Sequence, residues 1–346
     1  MRIIHVLNTN SYSGAENVAI QLAEHFKKNN DVFYCCPKGP IEKILEKHGI
    51  SHISIKKLSV KELKRVARII KPDLVHAHDF RASLFSILSF KKTPVVSHLH
   101  NNCPWLKKVC IKTVIFYFIA KKCNAILTVS NSVMDEFIFG NKFKTKTTVI
   151  GNPVDTSLLR YGVFPKRKRI YDLVFCGRMT EQKNPLLFID IVKELVSSLP
   201  SIRIAMLGDG ELMNTVKESI SSLGLTDNII VFGFVNNPIV FMSESKVLVI
   251  TSSWEGFGLV AVEAMSVGTP VVASKVGGLP TIVDDKCGAL CNSKDEFVKE
   301  IKKIIIDEKY FRLISLNALK KADALSNIEQ YIENISNIYN SLLRVE

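Results

Sequence analysis

Short runs of β-branched and aliphatic residues alternate along the chain with longer stretches whose apolar positions recur every three or four residues. Arg2 to Leu7 reads as a strand and Asn8 to Ser13 as a polar loop. Gly14 then opens a stretch in which Val18, Leu22 and Phe26 share one helical face. The rhythm returns with a strand over Val32 to Cys36, a helix from about Pro40, and an amphipathic helix over residues 61–71 closed by Pro72. Strands follow at Leu74 to His78, over PVVSHLH ending at His100, and over AILTVS ending at Ser130. After Gly151-Asn152-Pro153-Val154-Asp155 a polar and basic loop runs to Arg169, and the alternation restarts. Its strands are expected at Asp172 to Cys176, Arg203 to Leu207, Ile229 to Phe232, Val247 to Ile250 and Pro270 to Ala273. From Asn327 onward Ile328, Ile332, Ile335, Tyr339 and Leu342 form a stripe at helical spacing, read as a packing face.

Such alternation predicts parallel sheets with helices on both faces. The fold class is therefore α/β, with two doubly wound, Rossmann-like domains expected over residues 1–160 and 161–325 and a C-terminal helix, 326–346, packing back on the first. A length of 346 residues agrees with two domains at roughly 150 residues each. The best spanning candidate, Thr113 to Ala120, is short and flanked by lysines, well under the ~18 apolar residues a bilayer requires. The N-terminal run turns polar at Asn8, too soon for a signal-peptide core, so a cytoplasmic location is expected. The eight cysteines fall in no paired CxxC pattern and are expected to be reduced.

Open parallel sheets bind ligands in the loops after their strands. The first loop offers only Gly14, and Gly208-Asp209-Gly210 lacks a third glycine in register, so no dinucleotide fingerprint is present. Nor is there a GxxxxGK[ST] phosphate loop. The informative segment is SSWEGFGLVAVEAMSVG, Ser252 to Gly268, directly after the strand VLVI. Gly256 and Gly258 precede a helix whose N-terminus supplies free backbone N–H groups, a natural cradle for a diphosphate. Glu255 precedes the cradle and Glu263 is expected about two turns into the helix, so that the two carboxylates reach opposite ends of an elongated, hydroxyl-bearing ligand.

This segment, together with Gly177-Arg178-Met179-Thr180-Glu181-Gln182-Lys183-Asn184 after the second domain's first strand, closely resembles the donor site of glycosyltransferase family 4, retaining enzymes of the GT-B fold. The resemblance covers essentially the whole chain. It implies two domains facing each other across a cleft, with the acceptor bound by the first and a nucleotide sugar by the second. Arg178 and Lys183 would bind the diphosphate, with Gly177 in the same loop and backbone amides near Phe257, Gly258 and Leu259. Glu255 would hold sugar hydroxyls and Glu263 the ribose. Gly14, in Ser13-Gly14-Ala15-Glu16, matches the family's glycine-rich first loop, although Ser13 stands where many members carry a second glycine. Gly277 and Gly278 also fit, whereas Thr281 stands where an acidic residue is common. His100 matches the histidine that faces the transferred sugar. The implied chemistry is transfer of a hexosyl or N-acetylhexosaminyl group with retention, by front-side displacement, needing no metal and no cofactor beyond the nucleotide-sugar cosubstrate.

All eight histidines fall within residues 1–100, and the pairs His76/His78 and His98/His100 have strand spacing. Four imidazoles near adjacent strand ends form a candidate metal site, which would suggest a hydrolase. With only Asp79 as a nearby carboxylate, the histidines other than His100 are read instead as core or surface residues, His78 being a candidate on the acceptor side.

The formal net charge is +13, and its distribution changes the picture. Residues 1–165 hold 25 Lys+Arg against 11 Asp+Glu, while the remainder is nearly balanced. Twenty of those 25 cations are lysines, interleaved with large hydrophobes at Ile53 to Lys71 and Pro104 to Lys122. That mixture suits diffuse attachment to anionic lipid better than bidentate readout of nucleic acid. A lipid-linked or glycan acceptor in bacterial surface-polysaccharide synthesis, reached from the inner face of the cytoplasmic membrane, is the expectation. The competing readings are a nucleotide-sugar epimerase of the same fold and a basic nucleic-acid-binding module, for which no recognition motif is present.

Overall fold

The computed structural model of the protein describes residues 1–161 and 169–343. The expected linker up to Arg169 therefore lies, over residues 162–168, outside the described residues. The chain forms two compact units, Met1–Pro153 with Ile328–Glu346, and Val154–Asn327.

The first unit is built on seven parallel strands: β1 (Arg2–Val6), β2 (Asp31–Pro37), β3 (Ser51–Ile55), β4 (Leu74–His78), β5 (Val95–Leu99), β6 (Ala125–Thr128) and β7 (Thr147–Val149). They lie in the order β3-β2-β1-β4-β5-β6-β7, so the order reverses between β1 and β4. Ile3 pairs across with Val32 and Leu74, and His5 with Tyr34 and His76. Helices α1 (Gly14–Phe26), α2 (Ile41–Lys47), α3 (Val60–Ile70), α4 (Asp79–Ser89) and α5 (Ile111–Lys122) connect them. Every residue of β4 and β5 is buried, as expected of central strands covered on both faces.

Local signals explain where helices start and stop. The Ser59 hydroxyl caps α3 by accepting from the Glu62 amide at 3.3 Å, and the helix ends at Lys71 in the left-handed region, just before Pro72. At the end of α5 the Lys146 ammonium donates to the carbonyls of Ala120, Lys121 and Cys123 at 2.8–3.0 Å, satisfying acceptors the helix leaves open. The closing helix, Ile328–Leu343, buries Tyr331, Ile332, Ile335 and Tyr339 against Val18, Leu22 and Phe26 of α1 and the sheet. Fully burying one such side chain contributes roughly 1.5–3 kcal/mol, so this one face ties the C-terminus firmly to the first unit.

The second unit carries β8 (Tyr171–Cys176), β9 (Ile204–Leu207), β10 (Ile229–Gly233), β11 (Ser245–Ile250), β12 (Val271–Ser274) and β13 (Gly288–Cys291). Their order is β10-β9-β8-β11-β12-β13, all parallel, with the reversal between β8 and β11. The unit begins earlier than residue 161. The Arg160 guanidinium reaches the Ser266 carbonyl and the Asp323 carboxylate, both at 2.6 Å, and the Thr156 amide donates to the Ser326 hydroxyl, so residues 154–160 belong with the second core. All eight cysteines carry free thiols. Among the described residues no helix is long and apolar enough to cross a membrane.

Candidate functional site

In the second unit the strand order reverses between β8 and β11, and the loops following these two strands are residues 177–184 and 251–258. Ligands of doubly wound sheets bind outside the carboxyl ends of the strands at such a reversal. The two loops are tied together. The Thr251 hydroxyl donates to the carbonyls of Lys183 and Asn184 at 3.1 and 2.9 Å, the Ser253 amide to the Gln182 carbonyl at 2.8 Å, and the Gln182 amide group to the Trp254 carbonyl at 3.2 Å. Asn184, at φ 48°, caps the helix Pro185–Val196 and turns the chain so that Lys183 lies back over Gly177. A Cβ on Gly177 would meet the Lys183 stem at 3.3 Å.

Lys183 Nζ pairs with Glu255 Oε2, which also accepts from the Ser252 hydroxyl at 3.3 Å. Both partners are largely withdrawn from water. Glu263 lies within the field of the same cation: burial pushes its carboxyl up to about 7, against the opposing pull of Lys183. One ammonium thus lies in the field of two carboxylates of opposite condition, one ion-paired and one whose ionisation burial opposes. The helix carrying Glu263 is Leu259–Ser266, so Glu263 sits just over one turn in, rather than the two turns expected from the sequence. The reason is Gly258, whose φ of 102° keeps it and the preceding glycine loop out of the helix. The N–H groups of Leu259 and its neighbours open the first turn, where they have no acceptor within the helix. Phe257 is partly exposed beside them, and Arg178 is exposed with its guanidinium 3.3 Å from the Gln182 side-chain oxygen.

Glycines brace this loop pair from behind. A Cβ on Gly278 would lie 2.4 Å from the Gly256 carbonyl oxygen, and the Gly278 amide donates to the Glu255 carbonyl at 3.0 Å. A Cβ on Gly208, at φ 125°, would strike the Gly177 carbonyl at 1.9 Å. The Gly208-Asp209-Gly210 segment, which has no dinucleotide register, is therefore a packing brace for the loop that carries Arg178 and Lys183. Sequence reading missed this role and those of Thr251, Ser252 and Gln182; short polar residues in a loop carry no signal until the neighbouring strand is known.

Two expected site residues lie in the first unit. Gly14 starts α1 after β1, and His100 follows β5; the loop after β1 and the end of β4 flank that sheet's own reversal. Beside Gly14 the buried Glu16 accepts from the Thr9 and Ser13 hydroxyls, closing the loop on itself. Asp79 stands at φ 67° at the end of β4, and its Oδ1 accepts from the His100 amide at 2.8 Å. Burial pushes the Asp79 carboxyl up to about 7, against the stabilising His100 amide. His100 itself stacks on His78, with Nε2 2.9 Å from His78 Nδ1, and burial depresses its imidazole to about 3, so it is neutral.

Residues 163–321 match the family model of glycosyl transferases group 1, and residues 12–158 that of glycosyltransferase family 4. The chain is 24% identical to the UDP-Gal:alpha-D-GlcNAc-diphosphoundecaprenol alpha-1,3-galactosyltransferase of Escherichia coli, over 98% of this chain and 96% of that one. It is 26% identical to the capsular polysaccharide biosynthesis glycosyltransferase CapM of Staphylococcus aureus, over 63% of this chain and 62% of that one. HepE of Anabaena, solved in complex with UDP and glucose, superposes with a TM-score of 0.86 at 21% identity, covering 99% of this chain and all of that one. Two parallel-sheet units with this likeness, and two family models that between them take in most of the sequence, leave one assignment: the chain belongs to the group 1 glycosyltransferases, family 4 in its N-terminal half, and is a glycosyltransferase of the α/β GT-B fold.

Proposed function

We propose that this glycosyltransferase moves a hexosyl or N-acetylhexosaminyl group, with retention, from a nucleotide-diphosphate donor to a hydroxyl of a lipid-linked or polysaccharide acceptor during synthesis of a bacterial surface polysaccharide. The observation that carries the reading is the Lys183–Glu255 pair at the β8/β11 reversal, beside the open first turn at Leu259. Before substrate arrives, each charge neutralises the other. A diphosphate entering the glycine loop draws the ammonium toward its oxygens, and the released Glu255 carboxylate accepts hydrogen bonds from sugar hydroxyls. As the glycosidic bond to the diphosphate breaks, negative charge grows on the leaving oxygens. Lys183, Arg178 and the amides of Phe257, Gly258 and Leu259 stabilise it from fixed positions. This donor set supplies its own positive charge, so the transfer is assigned no metal. Glu263 accepts from the ribose. Front-side displacement, with the departing phosphate taking the acceptor proton, follows the family resemblance, and His100 and Gly14 are assigned to the sugar side.

Support for a UDP donor comes from HepE, solved with UDP and glucose, and support for a lipid diphosphate acceptor from the Escherichia coli relative's name. A membrane surface is favoured by α5. Its inward positions Thr113, Phe116, Ile119 and Ala120 are buried, yet Ile111, Val114, Ile115 and Phe118 face outward at i, i+3, i+4 and i+7, with Ile111 80% and Phe118 57% exposed. Lys107, Lys108, Lys112, Lys121 and Lys122, all exposed, lie within this helix or next to its ends in sequence. An exposed apolar face in a lysine-rich segment suits the inner leaflet of a cytoplasmic membrane. The other lysine-rich stretch is different: α3 turns Leu63 and Val66 into the core and its cations to water, an ordinary amphipathic helix. The test is a panel of nucleotide sugars scored for nucleotide release with and without a membrane extract. Release stimulated by extract for one donor is expected; no release from any donor, or sugar rearrangement without acceptor, would overturn the reading.

A further inference from the structure

Five imidazoles, His5, His76, His78, His98 and His100, meet inside the first unit, and the glycosyl-transfer chemistry uses only one of them. They project from β1, β4 and the end of β5, with ring centroids of neighbouring members 4.0–5.6 Å apart. His5, His76, His78 and His98 are at most 2% exposed. Two hydrogen-bonded strings run through the group. In one, Tyr339 Oη lies 2.5 Å from His76 Nδ1, and His76 Nε2 lies 3.1 Å from His98 Nδ1. In the other, His5 Nδ1 lies 3.0 Å from His78 Nε2, and His78 Nδ1 lies 2.9 Å from His100 Nε2.

Neither string closes. His5 Nε2, His98 Nε2 and His100 Nδ1 are buried without a partner. A neutral imidazole has one donor and one acceptor, so whichever way the protons run along His5–His78–His100, one end is an unmet donor and the other an unmet acceptor. Each such group costs free energy that an apolar side chain in a β-strand would not, and a ligand on His98 Nε2 would relieve one of the three.

We propose that His78, His98 and His100 bind one divalent first-row transition-metal ion, of the zinc or cobalt class, in the interior of the N-terminal unit. One nitrogen from each of the three lies within 4.8 Å of the others. A tetrahedral ion with nitrogens at about 2.0–2.1 Å needs them about 3.3 Å apart, a distance between that limit and the present 2.9 Å separation of His78 Nδ1 and His100 Nε2. The ion enters between those two atoms, replacing their shared proton, which a tautomer shift passes to the one unprotonated end of the string, His100 Nδ1 or His5 Nε2, without net release. His98 ligates through Nε2, since its Nδ1 is engaged by His76. The outer nitrogens of two ligands are already held, His78 by His5 and His98 by His76 with Tyr339 behind it, the arrangement that orients metal-bound histidines elsewhere. Three neutral nitrogens and no carboxylate or thiolate select a borderline ion over magnesium or calcium. A second trio, His5, His76 and His78, also converges, but it is buried throughout, whereas the chosen trio opens to solvent at the partly exposed His100.

The test is independent of the donor reading because it measures binding, not transfer. Tag-free full-length protein is stripped with chelator and titrated with Co²⁺ alone. The expected result is a visible ligand-field band that saturates at one equivalent and is abolished by one equivalent of Zn²⁺. His98→Gln and His100→Gln should each weaken Co²⁺ binding at least tenfold, while His5→Gln, outside the trio, leaves the stoichiometry unchanged. Should a substitution disturb folding, ring-nitrogen NMR of the wild-type chain decides: Zn²⁺ must shift the His78, His98 and His100 resonances most strongly, in slow exchange, with smaller shifts at the hydrogen-bonded His5 and His76 and none at His25, His48 and His52. Absence of the band, a stoichiometry far from one, or equal shifts at all histidines would overturn the proposal.

Discussion

Lys183 and Glu255 lie on loops that follow two neighbouring strands, yet they meet as an ion pair largely out of water. Replacing Lys183 with alanine should lower kcat by roughly 10²–10³-fold, the scale seen when one preorganised donor to a developing charge is removed. It also leaves the Glu255 carboxylate buried without its cation, so the melting temperature should drop. Glu255→Gln in the same background should restore stability and not turnover, which a coupled assay and a thermal melt separate.

Backbone geometry at the loop is equally exposed to test. Gly258→Ala places a side chain at φ 102° and its Cβ 2.7 Å from Leu279 Cδ2, at a cost of about 1–3 kcal/mol from the backbone alone. The expected outcome is a lowered denaturation midpoint together with weakened nucleotide binding. A Gly224→Ala control, at φ 67° with open space around it, carries the strain without the clash and should destabilise less and leave binding intact.

Glu263 predicts a pH dependence. Its folded-state carboxyl is raised from 4.5 to about 7, so between these values the folded chain holds a proton that the unfolded chain has released. Stability from this group therefore falls as pH rises through that window. Nucleotide binding runs the other way, because an ionised carboxylate accepts from a ribose hydroxyl more strongly, by about 1 kcal/mol, than a neutral one. UDP affinity measured calorimetrically should improve several-fold across neutrality, and Glu263→Gln should flatten the profile.

The outward face of α5 can be cut without touching the core. Ile115→Glu with Phe118→Glu removes two apolar side chains that are 42% and 57% exposed, so each contributes about half of the roughly 1.5–3 kcal/mol of full burial when it enters lipid. Flotation with anionic vesicles at low salt should fall at least tenfold, with the melting temperature unchanged. Equal flotation of variant and wild type would remove α5 from the membrane reading.

How much of this was legible in the sequence depends on where an element sits. Val247–Ile250 was read directly, because burial on both faces demands a continuous apolar run, and Leu74–His78 was read from its place after the helix closed by Pro72, although two of its five residues are histidines. The strands missed, Ser51–Ile55, Thr147–Val149 and Gly288–Cys291, are all edge strands with one hydrogen-bonding neighbour, short and partly polar. Glu255, Lys183 and Gly258 stood out through motif and spacing. The helix start was misjudged because a glycine at positive φ is invisible as such in sequence. Spacing put His76/His78 and His98/His100 on shared strand faces, but His5 joined them only through the pairing of β1 with β4, a contact 71 residues away along the chain at its His5–His76 register pair. Docking of Tyr339 against His76 was likewise beyond any local pattern.

A crystal structure of the protein with UDP bound decides whether the paired loops after β8 and β11 hold the donor's nucleotide diphosphate, as proposed. Diphosphate oxygens are expected within hydrogen-bonding distance of Lys183 Nζ and the Leu259 amide, with the ribose hydroxyls on Glu263 and the Lys183–Glu255 pair opened. A diphosphate seated away from these loops, with that pair intact, would contradict the proposal.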